Sequence, residues 1–129
     1  MIVSPQTAAT LATIGLLVLA AFQAALAAGM PLGRAAWGGQ QTRLPRNLRV
    51  ASLVSIPIWL LGAAIILDRA GIPVVDLPDT VSQLGAWVLV VLLFLGAAVN
   101  LASSSPYERF GWAPFAAVTG LLTLVVALG

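Results

Sequence analysis

The sequence contains no cysteine, no histidine and no lysine, and only 8% of its 129 residues are charged. Without cysteine the chain can form neither a disulfide nor a thiolate metal site. Without histidine it lacks the commonest metal ligand and the side chain best suited to proton transfer near neutral pH. Since lysine is absent too, few side chains remain from which a nucleophile and a base could be paired. We therefore expect no enzymatic activity and no cofactor.

The scarcity of charge also argues against an ordinary soluble domain, in which about a quarter of the residues are charged. The chain has six arginines and four acidic residues, a net charge of +2. A net charge of +2 is too small to form the basic face that nucleic-acid binding requires, so we expect no nucleic-acid partner. Hydrophobic residues make up 60% of the chain and lie in long blocks. The composition indicates an integral membrane protein whose first partner is the lipid bilayer.

Four apolar segments are long enough to cross a bilayer, which takes roughly 20 residues of helix. They cover residues 7–28, 50–67, 81–101 and 112–128, and none of them contains an ionisable residue. The first segment ends with Ala25-Leu26-Ala27, which resembles a signal-peptidase site. Because it is long and has no basic residue ahead of it, we interpret it as an uncleaved helix. The predicted fold is an all-α membrane protein with four transmembrane helices, in one domain covering residues 1–129.

The arginines predict the orientation of the chain. The loop 29–48 holds three arginines and no acid, the loop 68–80 holds one arginine and three aspartates, and the loop 102–111 holds Glu108 and Arg109. The first and third loops share a side because two spans separate them, and the positive-inside rule places that side in the cytoplasm. An all-arginine basic set with abundant Ala, Val, Leu and Gly suggests a GC-rich bacterial genome. We expect a bacterial plasma-membrane protein with both termini outside.

A pattern of scarce residues, PxxRxxW, occurs twice. It reads PLGRAAW at residues 31–37, after the first span, and PYERFGW at residues 106–112, after the third. We interpret the repeat as a duplicated helical hairpin in a parallel arrangement, with its pseudo-axis along the membrane normal. In each copy proline should open a short helix that places arginine and tryptophan on one face.

Two interpretations of the repeated pattern stay open. The first is interfacial anchoring, because tryptophan favours the headgroup level and arginine reaches lipid phosphates. The second is a binding site between the copies, in which the two arginines hold an anionic group, Asn100 and Glu108 orient it and the two tryptophans form the walls. The predicted site residues are Arg34, Trp37, Asn100, Glu108, Arg109 and Trp112. Asn100 and the serines after it have a simpler alternative, a helix end followed by a new helix cap.

Small residues spaced four apart, as at Ala20, Ala24 and Ala28, let helix backbones approach closely within one chain or between two. They make a homodimer one hypothesis for this small protein.

Three segments resemble a set of small, uncharacterised four-helix integral membrane proteins of high-GC Gram-positive bacteria. They are GMPLGRAAWGG at 29–39, LPRNLR at 44–49 and NLASSSPYER at 100–109. The resemblance covers nearly the whole chain and implies the four-helix membrane fold but no activity.

Three classes of function remain, in the order in which we rank them. The first is a non-enzymatic module that binds anionic lipid headgroups or a membrane-protein partner through its arginine-bearing cytoplasmic loops. The second is an uncoupled transporter or channel for a small solute, which the repeat favours, while the absence of intramembrane charge argues against coupling. The third is an enzyme, for which the residues offer few candidates.

Overall fold

The computed structural model describes residues 3–72 and 74–129. Within those residues the chain is all-helical, with four long helices: α1 (Pro5–Ala27), α2 (Arg46–Arg69), α3 (Asp79–Leu101) and α4 (Ala113–Leu128). A short 3₁₀ helix, Gly33–Ala35, follows α1, and a π-helical turn, Glu108–Trp112, leads directly into α4. All four helices, with α4 counted from Glu108, are long and apolar enough to cross a membrane. The predicted fold class is confirmed; the duplication of the hairpins stays a prediction.

The helix starts follow from local chemistry. Ser4 accepts a hydrogen bond on its Oγ from the backbone N–H of Thr7 at 3.2 Å, and Pro5 occupies the first turn, where a missing N–H costs little. The start of α3 differs, because its N-cap residue is a proline. Pro78 precedes the first turn and no side chain caps it, while Asp79 lies inside that turn, where a negative charge suits the helix dipole.

The four helices form a ring in which α1 and α3 each pack against α2 and α4. One end of the ring carries the loops 28–45 and 102–112 and is called the arginine-bearing end here; the opposite end carries the start of α1 and the end of α4. The apolar core lies nearer the termini and includes Ala8, Ala12, Leu16, Ile66, Leu93 and Val126. Glycines allow close approach there: a Cβ added at Gly62 would lie 3.0 Å from Leu89 Cδ1. Such contact between small and large side chains is what holds transmembrane helices together.

Candidate functional site

A cavity of about 520 Å³ lies between the helices toward the arginine-bearing end; all four helices contribute to it, and exposed lining residues such as Leu92 and Val99 show that it is partly open. Its walls are mainly apolar and include Leu19, Phe22, Trp59, Leu92, Trp112 and Ala116. Leu93 belongs both to the cavity wall and to the core, so the apolar core forms the floor of the cavity. This volume falls within the range of roughly 300–1,000 Å³ that is typical of small-molecule sites.

Two loops cover the cavity at the arginine-bearing end; two side-chain hydrogen bonds join them, and a third lies within the second loop. Ser105 Oγ donates to the backbone carbonyl of Arg34 at 2.6 Å. Glu108 Oε1 accepts from the backbone N–H of Gly38 at 3.0 Å and from Ser103 Oγ at 2.7 Å. Glu108 is 7% exposed, so these bonds are largely removed from water. The loop after α1 is thereby fastened to the loop before α4.

The first loop reaches this position through a left-handed stretch of backbone. Trp37 has φ 50°, Gly38 has φ 89° and Gly39 has φ 72°. Glycine adopts such values freely, whereas a tryptophan there is strained and needs support from its surroundings. The support comes from Trp37 Nε1, which donates to the buried hydroxyl of Ser52 in α2 at 3.0 Å. A Cβ added at Gly39 would lie 2.7 Å from Ser105 Cβ, so only glycine permits this approach.

Trp112 is the last residue of the π-helical turn before α4 and forms part of the cavity wall. Its ring lies 4.7 Å from the ring of Phe22, measured between centroids, and meets Phe115 edge-on at 5.4 Å. Aromatic pairs of this geometry stabilise beyond the area they bury. The extra residue in a π-helical turn changes where the following side chains point, and such turns are frequent at functional sites.

Two polar atoms in the cavity residues are buried without a hydrogen-bond partner: Gln23 Oε1 and Trp59 Nε1. Buried polar atoms are nearly always paired, so each unpaired one needs an explanation. The sequence places both residues inside predicted spans but assigns neither to a site. Gln23 is the one polar residue other than threonine in the predicted span 7–28, which is the signal that marks it.

Of the six predicted site residues, Trp37, Asn100, Glu108 and Trp112 line the cavity. Arg34 and Arg109 are exposed and lie outside its lining, and Arg34 Nη1 donates to the carbonyl of Gly39 at 3.4 Å. The structure therefore does not bring the two guanidinium groups into this cavity. Among the described residues that line the cavity, Glu108 is the only charged one.

Of the serines that follow Asn100, Ser105 caps the helical turn that begins at residue 106, and Ser103 bonds to the backbone of the loop. Ser103 Oγ accepts from the backbone N–H of Ser105 at 3.0 Å, and Ser105 Oγ accepts from that of Glu108 at 3.4 Å. This agrees with the simpler of the two interpretations for the serines. The side chain of Asn100 nevertheless lines the cavity together with Ser103.

A second concave surface lies between α1 and α2 at the same end, a groove of about 570 Å³. Its residues are Ala24, Ala27, Ala28, Arg46, Arg49, Val50, Leu53 and Ile56. Arg49 Nε donates to the carbonyl of Ala27 at 3.2 Å and Arg43 Nη1 to that of Gly29 at 3.0 Å, which satisfies the end of α1. An apolar groove with guanidinium groups at one end is thus present on the surface.

These features define an all-α protein with four helices of membrane-spanning length and a partly polar cavity near one end. No protein-family model, no curated protein and no solved structure matches the chain.

Proposed function

We propose that this chain is a non-enzymatic, multi-pass protein of a bacterial plasma membrane that binds a small, largely apolar molecule in the cavity. The observation that carries the proposal is a cavity of about 520 Å³ with mainly apolar walls, to which Gln23, Asn100 and Ser103 add a few polar residues. An empty apolar void needs no polar groups, whereas a binding site combines apolar walls with a few polar atoms that orient the ligand.

Uncoupled transport of a small solute is the alternative that the internal repeat favours. Passage through the bundle would require the fully buried core side chains below the cavity, Leu16 and Leu93 among them, to separate. Binding needs no such rearrangement. The cavity therefore supports binding over passage.

The groove between α1 and α2 favours a second proposal, contact with an anionic phospholipid. The alanines of α1 and the apolar side chains of α2 can receive an acyl chain, while Arg46 and Arg49 lie where its phosphate would be. A basic side chain near an anionic leaflet contributes about 1 kcal/mol. This proposal keeps the anionic-lipid function predicted from the loops but assigns it to Arg46 and Arg49.

Native mass spectrometry of the protein, extracted from its own membranes in mild detergent, tests both proposals. Gly96→Phe should fill the cavity, because Gly96 lines it and an added Cβ there meets no atom within 4 Å. Gly111→Phe is the matched control, since Gly111 is equally open but lies outside the cavity. We expect a small molecule to be retained by the wild type and by Gly111→Phe and lost from Gly96→Phe. Its retention by Gly96→Phe, or its absence from the wild type, would contradict the cavity proposal.

The same spectra report on the groove. Arg46→Gln should reduce bound anionic phospholipid several-fold, whereas Arg109→Gln, an exposed arginine outside the groove, should change it little. If both substitutions reduced bound phospholipid equally, any arginine at this end would attract lipid by its charge alone, and the groove would not be a lipid site.

A further inference from the structure

One face of α3 packs against α2 and then continues as part of the cavity wall. In a helix, residues three or four positions apart lie on the same face. The residues of α3 with this spacing are Gly85, Leu89, Leu92, Gly96 and Val99. A Cβ added at Gly85, the first of them, would lie 2.9 Å from Ile65 Cδ1 of α2, and Leu89 packs on Gly62 of the same helix. The last three line the cavity.

Toward the arginine-bearing end this face of α3 is no longer covered by α2. Val99 is 63% exposed, Leu92 is 38% exposed, and a Cβ added at Gly96 meets no atom within 4 Å. On the side of α2 the lining residues are Leu48 and Trp59. The two helices therefore separate in this half of the bundle and leave a lateral opening of the cavity. We call this opening the α2–α3 gap.

The α2–α3 gap lies at the depth of the lipid hydrocarbon. Its border on α3 runs from Leu92 to Val99, a rise of about 11 Å along the helix. The apolar part of α3 ends at Val99, because Asn100 follows it. Half of a hydrocarbon core that is about 30 Å thick measures about 15 Å. In a membrane the gap therefore faces the acyl chains of one leaflet, the leaflet at the arginine-bearing end.

The chemistry of the cavity suits an uncharged hydrocarbon chain. Within the described part of the chain the lining holds no arginine, so a phosphate or a carboxylate inside would meet only the carboxylate of Glu108. Water is disfavoured beside apolar walls, and an empty cavity would leave those walls without dispersion contacts. An acyl chain that bends in from the leaflet supplies these contacts, while its headgroup remains in water.

We infer that the cavity takes up the acyl chain of a phospholipid from the leaflet at the arginine-bearing end, and that this chain enters sideways through the α2–α3 gap. The inference rests on the proposed binding function and names the class and the source of its ligand. The groove between α1 and α2 is a separate surface, because Leu48 and Trp59 line the cavity and belong to no part of the groove.

Photocrosslinking tests the inference in vesicles of phosphatidylcholine, a small share of which carries a diazirine at the end of one acyl chain. This headgroup has no net charge, so it is not gathered by the arginines. Phe22 and Trp112 report on the interior, because their ring contact joins α1 to the start of α4, on the side of the ring opposite the gap. Val91, an exposed residue of α3 outside the cavity, reports on ordinary contact with lipid.

We expect the wild type to carry adducts on Phe22 and Trp112 as well as on Val91. Gly96→Phe, which places a ring in the gap, should reduce the interior adducts several-fold relative to those on Val91. Gly111→Phe, equally open but outside the cavity, should leave the ratio unchanged. The wild-type adducts test the inference even where Gly96→Phe fails to fold.

The outcomes separate failure of this inference from failure of the proposed function. Adducts on Val91 alone, with a small molecule still retained in native mass spectrometry, would overturn lipid entry and leave the binding function standing. Interior adducts that persist in folded Gly96→Phe would show a route other than the gap. Protection of Val99 from the probe, together with a dimer mass, would mean that a second copy covers the gap. Neither interior adducts nor a retained molecule would overturn both proposals.

Discussion

One carboxylate oxygen, Glu108 Oε1, connects the two loops that cover the cavity. It accepts from the N–H of Gly38 and from the hydroxyl of Ser103, and both donors are partly removed from water. The sequence indicated Glu108 as a group that orients a ligand, whereas these contacts give it a role in holding the loops together. Removal of the acceptor oxygen at this position would leave both donors unpaired. The free-energy cost of two unpaired buried donors exceeds the net free energy that the two hydrogen bonds contribute.

We predict that Glu108→Leu lowers the free energy of unfolding by about 1–3 kcal/mol, the cost of unpaired buried donors. Glu108→Gln keeps an acceptor oxygen and should lose about 1 kcal/mol or less. Thermal unfolding in detergent, followed by circular dichroism, measures both. Tyr107→Leu, at an adjacent exposed position, is the control and should leave the midpoint unchanged. Equal losses for the two Glu108 variants would mean that the negative charge, and not the acceptor, stabilises the loops.

Four of the six predicted site residues line the cavity, and the two arginines do not. Trp37 and Trp112 could be predicted because they recur in a fixed pattern of scarce residues, and Glu108 because it is a scarce acidic residue within the second copy; all three line the cavity. Gln23 and Trp59 could not, because helices that are apolar on every side give no signal of which face turns inward. Which polar atoms remain unpaired depends on the packing of all four helices together.

The two PxxRxxW segments adopt different structures although their patterns match. In the first, a 3₁₀ helix ends at Ala35 and Trp37 is left-handed; in the second, the chain is helical through Trp112 and continues into α4. The short helix expected in both copies is therefore wrong for the tryptophan of the first. Two glycines follow that tryptophan and permit the left-handed stretch, whereas Ala113 and Pro114 follow the other and suit a first helical turn.

The left-handed stretch at residues 37–39 leads to a prediction about how firmly the first loop is held. Gly39→Ala should detach the first loop from the second, because the added Cβ would clash with Ser105 and with the carbonyl of Arg34. The positive φ adds a strain energy of about 1–2 kcal/mol for any residue other than glycine. Gly38→Ala carries the same kind of strain, but its Cβ meets only a flexible glutamine side chain at 4.0 Å. Trypsin cleavage after Arg43 should accelerate several-fold more in Gly39→Ala than in Gly38→Ala. Equal acceleration would mean that φ alone, and not the contact with Ser105, holds the loop.

At the scale of the whole molecule, the hydrogen bonds between residues 34–38 and 103–108 place the first and third loops at one end of the bundle. Five of the six arginines lie in or beside these loops, and Arg69 lies at the opposite end of α2. The positive-inside rule then predicts that the cavity lies near the cytoplasmic side and that both termini lie outside.

The chain is well suited to a test of this orientation because it has no native cysteine. Gln41→Cys and Asp76→Cys each introduce one thiol at an exposed position, in the first and second loops respectively. With a membrane-impermeant maleimide on intact bacterial cells, we expect Asp76→Cys to be labelled and Gln41→Cys to be labelled only after permeabilisation. The reverse pattern would invert the protein and place the arginine-bearing end outside. A ligand would then have to reach the cavity from the outer leaflet, and Arg46 and Arg49 would lack the anionic inner leaflet that their charge favours.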